Sequence, residues 1–171
     1  MTARPQLIEV PEPNLLFGHG QRMEHPKDGL LLYGPNQNPW SGGTLRIGVV
    51  ATRPGLERYS RCVARLALPI PPKKADDPNH THFPGFEAVF GVEWPSTPAT
   101  WIEVDAAELA RVIRIEDRHQ AIHHAVTLYS EAIVEHLRQG SESGIDLWMA
   151  VVPEDVYRYC RPQSKVEKDE R

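Results

Sequence analysis

Two stretches of this chain are apolar almost without interruption: Leu45 to Ala51 (LRIGVVA) and Ile145 to Val152 (IDLWMAVV). A strand with one buried face alternates apolar and polar side chains, whereas a strand covered on both faces has no polar side to show. Both runs therefore predict parallel strands buried at the centre of one sheet. The residues between them must supply the covering helices and the crossover.

Helical signals follow. Thr52 can cap a helix that tolerates Pro54 in its first turn, and Leu56, Tyr59, Val63 and Leu66 recur at helical spacing. A second helix starts at Asp105, whose carboxylate can cap the amides while Glu108 takes the capping-box position. Its pattern falters over Glu116 to His119, which predicts a break. From there a helix runs to Gln139 with Ile122, Val126, Tyr129, Ile133 and Leu137 as its buried face. A short helix is expected from Glu154 to Cys160, after Pro153. The apolar run Leu30 to Tyr33 reads as a buried strand, and Glu87 to Val92 and Trp101 to Val104 alternate well enough to be strands. The fold class is α/β: a Rossmann-like, partly parallel sheet flanked by helices, with a small antiparallel insertion. The chain divides into an N-terminal arm and edge strand over 1–43, an α/β domain over 44–160 and a charged tail over 161–171.

The 171 residues are enough for one ordinary domain, and the mean hydropathy of −0.44 is that of a soluble one. A net charge of −4, from 23 acidic and 19 basic side chains, supplies no global field for a polyanion, so any nucleic-acid contact must be local. Cys62 and Cys160 have no spaced partners, which excludes a disulfide framework and a four-cysteine zinc site and favours a reducing compartment. No run approaches the length of a membrane span, and Met1 to Val10 lacks the apolar centre of a signal peptide. A cytoplasmic protein without membrane contact is expected.

Chemistry in an open α/β sheet gathers beyond the carboxyl ends of the strands, where helix N-termini present amides. Two such edges are predicted here, Thr52 to Leu56 and Pro153 to Tyr157. His80 and His82 share a loop and His119 and His123 lie four apart, but no Cys, Asp or Glu completes a metal-ligand spacing. No phosphate-cradling glycine loop, nucleophile elbow or carboxylate pair is present, so neither a cofactor, a metal nor catalysis is expected. Trp40 and Trp94 fall in turn-rich segments, where an exposed indole more often marks a protein interface than a base-stacking platform. Lys73 and Lys74 are neutralised by Asp76 and Asp77.

Five segments, in this order, resemble the opening of a short prokaryotic Argonaute: LLFGHGQ (Leu15 to Gln21), DGLLLYGP (Asp28 to Pro35), the strand Leu45 to Ala51, FPGFEAVF (Phe83 to Phe90) and VVPEDVYRYCRP (Val151 to Pro162). The resemblance covers nearly the whole chain. It implies the first part of a MID domain, an α/β unit that helps hold the 5′ end of a guide strand. In that family the strand resembling MAVVP leads into the loop that meets the first guide base, and the cluster that binds the 5′ phosphate lies further on, past the position of Arg171. Arg158, Arg161 and Lys165 are the basic side chains nearest this edge and the candidate nucleic-acid contacts. Further implications are a guide RNA that pairs with target DNA, a catalytically inactive PIWI domain, and a heterodimer with an APAZ-domain effector protein carrying a TIR, sirtuin-like or nuclease domain. Such a complex serves prokaryotic defence. The alternative from the residues alone is a small Rossmann-like enzyme with a nucleotide or other phosphate ligand at the Thr52 or Pro153 edge.

Overall fold

The two apolar runs lie side by side and point the same way. The computed structural model describes residues 13–38, 42–72, 81–140 and 144–160. In chain order its elements are β1 (Leu15–Leu16), a 3-10 turn (Gly18–Gly20), β2 (Arg22–Met23), α1 (Pro26–Tyr33), β3 (Ile47–Ala51), α2 (Arg53–Leu66), α3 (Phe86–Phe90), β4 (Thr100–Glu103), α4 (Ala106–Val112), α5 (Arg118–Arg138), β5 (Leu147–Val151) and α6 (Glu154–Cys160). They form two compact units, one of Met1–Gly42 with Leu68–Val92, the other of Gly43–Ala67 with Glu93–Arg171.

The first unit holds the small antiparallel element. β1 and β2 pair with Leu15 opposite Met23 and Leu16 opposite Arg22, and an antiparallel bridge joins Ile70 to Phe83. Two segments read as strands are helices. Leu30 to Tyr33 belongs to α1: Pro26 presets the first turn, Asp28 suits its positive end, and Gly34, with φ 69°, ends it by donating its N–H to the Leu30 carbonyl. Three consecutive leucines fit a strand or a buried helix equally well, and here the caps decided. Glu87 to Val92 falls largely in α3, bracketed by Gly85 and Gly91 at φ 110° and 65°, conformations that stop a strand at either end. Phe17 packs its ring on Gly29, where a β-carbon would come within 2.2 Å of it.

The second unit is a parallel three-stranded sheet in the order β4-β3-β5, flanked by helices. β3 is central and wholly buried. Val50 joins a core with Val104, Leu109, Ile113, Ala121 and Ala125, so α4, α5 and α6 cover this face. The alternate residues Ile47, Val49 and Ala51 point to the opposite face. There α2 buries Tyr59 and Val63. Trp101 to Val104 does supply a strand, β4, but it runs parallel to β3.

Two expectations need correction. β5 pairs parallel with β3 as expected, yet among the described residues it is an edge strand, with Leu147 exposed, where burial at the sheet centre was predicted. α5 does begin after a break, Asp117 capping it through the His119 and Gln120 amides. Ile122, Tyr129 and Ile133 pack partly buried against the core as expected, but the fully buried residues of the helix are Ala121 and Ala125, while Val126 and Leu137 stay 60% and 59% exposed. Small side chains let the helix lie close on the sheet, so the larger ones flank the contact and Val126 and Leu137, the second and last of the expected stripe, fall outside it. No described helix is long and apolar enough to cross a membrane.

Candidate functional site

Parallel strands end at the same side of a sheet, so the helices that follow them start there together. Thr52 directly follows β3, and its hydroxyl accepts from the Gly55 amide at 3.3 Å, capping α2. Asp105 follows β4 and accepts from the amides of Ala107 at 2.7 Å and Glu108 at 3.1 Å, capping α4. Pro153 follows β5 and receives the Tyr157 amide on its carbonyl at 3.3 Å, in the first turn of α6. Gly55 lets α2 approach the strand ends: a β-carbon there would lie 3.2 Å from Ala51 Cβ and 3.5 Å from Val151 Cγ1.

Between these three helix starts opens a cleft of about 270 Å³. The two edges predicted from the sequence, Thr52 with Pro54 and Gly55, and Pro153 with Glu154, Asp155 and Val156, line it together. Its remaining wall is apolar, from Ala106, Leu109, Ala110 and Ile113 of α4. Arg58 is its basic lining residue, against the two carboxylates of Glu154 and Asp155. That balance disfavours a phosphate, and capping already engages amides of α2 and α4 that would otherwise attract one. The chemistry suits a flat, largely apolar group whose edge donates hydrogen bonds to carboxylates.

Just outside the cleft lining, Arg53 lies over the Trp101 ring at 5.4 Å and 3.8 Å from Glu103. Trp101 in turn donates its indole N–H to the Ala51 carbonyl at 3.1 Å, which fixes the ring at the end of β3. Burial pushes the Tyr59 and Tyr129 phenols above their ordinary value, and the bonded Glu108 carboxylate raises the Arg111 guanidinium.

Of the predicted nucleic-acid contacts, Arg158 lies on α6, its guanidinium 6.0 Å from the Tyr159 ring, and does not line the cleft. Arg161 and Lys165 lie outside the described residues, as do Trp40, Lys73, Lys74 and His80. Among the described residues no group of three or more His, Cys, Asp and Glu is placed to hold a metal, and His119 and His123 are not joined by a third ligand. Trp94 gives its indole N–H to the Tyr59 hydroxyl at 3.1 Å, which in turn donates to the Pro95 carbonyl at 2.9 Å. It is therefore a buttress of the fold. Arg58 and the Ala106–Ala110 wall were missed in the sequence, because three separate segments must fold before they face one another. The one available signal was their position, in the first two turns after a strand-end cap. Neither a protein-family model nor a curated protein sequence matches the chain.

Proposed function

We propose that this chain is the first part of the MID domain of a short prokaryotic Argonaute, and that its cleft receives the terminal base of a guide strand. The observation that carries the reading is the convergence of the Thr52 and Pro153 edges on one cleft at the carboxyl end of a parallel sheet. Such an edge is where open α/β sheets take ligands. Its apolar wall matches a base face, and Glu154 and Asp155 can accept from the amino groups of a base edge while repelling phosphate. The 5′ phosphate is then held by residues outside this chain. On this reading the guide is RNA, the target DNA, and the working assembly includes a catalytically inactive PIWI domain and an APAZ-domain effector protein. The chain itself binds and does not catalyse. A phosphate-ligand enzyme on the same edge fits the carboxylates poorly.

The test is fluorescence anisotropy of the chain with single-stranded RNA at low and moderate salt. Removing the 5′-terminal base should weaken binding, whereas removing the 5′ phosphate should change it little. Tight binding that needs the phosphate, or binding indifferent to both changes, would overturn the reading.

A further inference from the structure

Arg53 is the first residue of α2 and stands between Thr52 and Pro54, two residues that line the cleft. Its guanidinium is held on two sides. One face lies over the Trp101 ring, with Cζ 5.4 Å from the ring centroid, and Nε is 3.8 Å from a Glu103 carboxylate oxygen. The ring beneath is itself fixed, because its indole N–H is given to the Ala51 carbonyl at 3.1 Å and its strand is paired along β3. Yet the Arg53 side chain is 70% exposed. Ordering a long side chain costs rotamer entropy, and an exposed ion pair returns little of it. What the two contacts achieve is a planar guanidinium whose second face is open to solvent beside the cleft.

We propose that this open face stacks an unpaired nucleobase, the second of a single strand whose terminal base sits in the cleft. Guanidinium planes stack on bases much as aromatic rings do, and the indole below makes the Arg53 plane one layer of a continuing stack. Charge separates this role from a phosphate contact. Glu103 lies against Arg53, so the pair carries no net charge and attracts a phosphate weakly, whereas stacking uses the plane itself. Glu103 also precedes the cleft wall by three residues, at Ala106, so the platform borders the cleft between α2 and the end of β4. Bases inside a duplex have both faces covered by their neighbours, and the platform therefore takes single strands. The register, second base and no later one, rests on the reading of the cleft given above; the platform rests on Arg53, Trp101 and Glu103 alone.

The test uses the full chain and three single-stranded RNAs: intact, lacking the first base, and lacking the second. By fluorescence anisotropy, loss of the second base should weaken binding to the parent roughly tenfold. Arg53→Ala should bind the intact strand roughly tenfold more weakly and be indifferent to loss of the second base, because the two changes remove one interaction. Arg53→Tyr keeps a plane without the charge and should stay within about threefold of the parent. Arg53→Lys keeps the charge without the plane and should fall with the alanine variant. Circular dichroism and melting check the fold of each. Losses that add between Arg53→Ala and the missing base, or a lysine variant that holds affinity while tyrosine loses it, would overturn the proposal. Indifference to the first base, with the coupling of Arg53 to the second intact, would sink the cleft reading and leave the platform standing. A chain that binds none of the three strands would overturn both.

Discussion

The Trp148 indole lies flat across Gly48 on the neighbouring strand, so close that a β-carbon on Gly48 would come within 2.5 Å of its Cε3 atom. Alanine is ordinarily the better strand residue, since glycine costs backbone entropy. Here the steric term wins. Gly48→Ala forces the ring away from the core that it packs against and should destabilise the fold by about 1–3 kcal/mol, the range for overpacking. Urea unfolding checks this; an alanine variant as stable as the parent would mean that the indole is free to move.

Tyr59 joins two groups, accepting from the Trp94 indole and donating to the Pro95 carbonyl. Tyr59→Phe removes both bonds and leaves a part-buried N–H and carbonyl without this partner, at a cost of about 1–3 kcal/mol. The phenol also sets an alkaline limit. Burial raises its folded pKa above the ordinary phenol value of 10.0, the Trp94 bond opposing, so the unfolded chain loses this proton first as pH rises. Stability is thus complete below pH 10.0 and falls as pH climbs from there towards the folded value. Tyr129, raised likewise by burial, acts in the same direction. Tyr59→Phe should flatten that alkaline decline, measured as melting temperature against pH; an unchanged slope would exonerate Tyr59.

Adjacent residues of α5 should behave in opposite ways. Ala125 is buried against the sheet, so Ala125→Asp places an unpaired carboxylate in the core and should unfold the second unit. Val126→Asp should keep the native circular dichroism, because its neighbourhood is solvent. The reverse ranking would restore the buried face expected from hydrophobic periodicity.

That contrast marks what the sequence could and could not disclose. Periodicity located α5, its break and the packing of Ile122, Tyr129 and Ile133, but it extended the buried face to Val126 and Leu137 and passed over Ala121 and Ala125, because alanine carries almost no signal in such a pattern. Caps were legible because their chemistry is local: Thr52 and Asp105 each serve amides two or three residues on. The β3 strand was legible because burial on both faces leaves a continuous apolar run. The same run in β5 misled, since it records a strand to be covered without saying by what. In the α1 and α3 segments, short apolar stretches fit two periods at once, and the flanking Pro26, Gly34, Gly85 and Gly91 held the answer. For the cleft, the two strand-end edges could be foreseen from topology, whereas Arg58 and the α4 wall emerge only from three-dimensional placement.

The carboxylates of that cleft offer the most discriminating variant. Glu154 and Asp155 stand at the start of α6, in the position where a helix otherwise attracts anions, and they share the lining of the cleft with Arg58. Glu154→Gln with Asp155→Asn removes two negative charges and leaves the shape of the cleft nearly unchanged. Single-stranded RNA bearing a 5′ phosphate should then bind several-fold tighter than to the parent chain, with a steeper salt dependence, because one more phosphate contact becomes favourable. Oligonucleotides ending in a hydroxyl should gain less. Fluorescence anisotropy at two salt concentrations reads both effects. Equal affinities in parent and variant would remove these two side chains from the ligand's surroundings, and with them the argument that the cleft is built for a base.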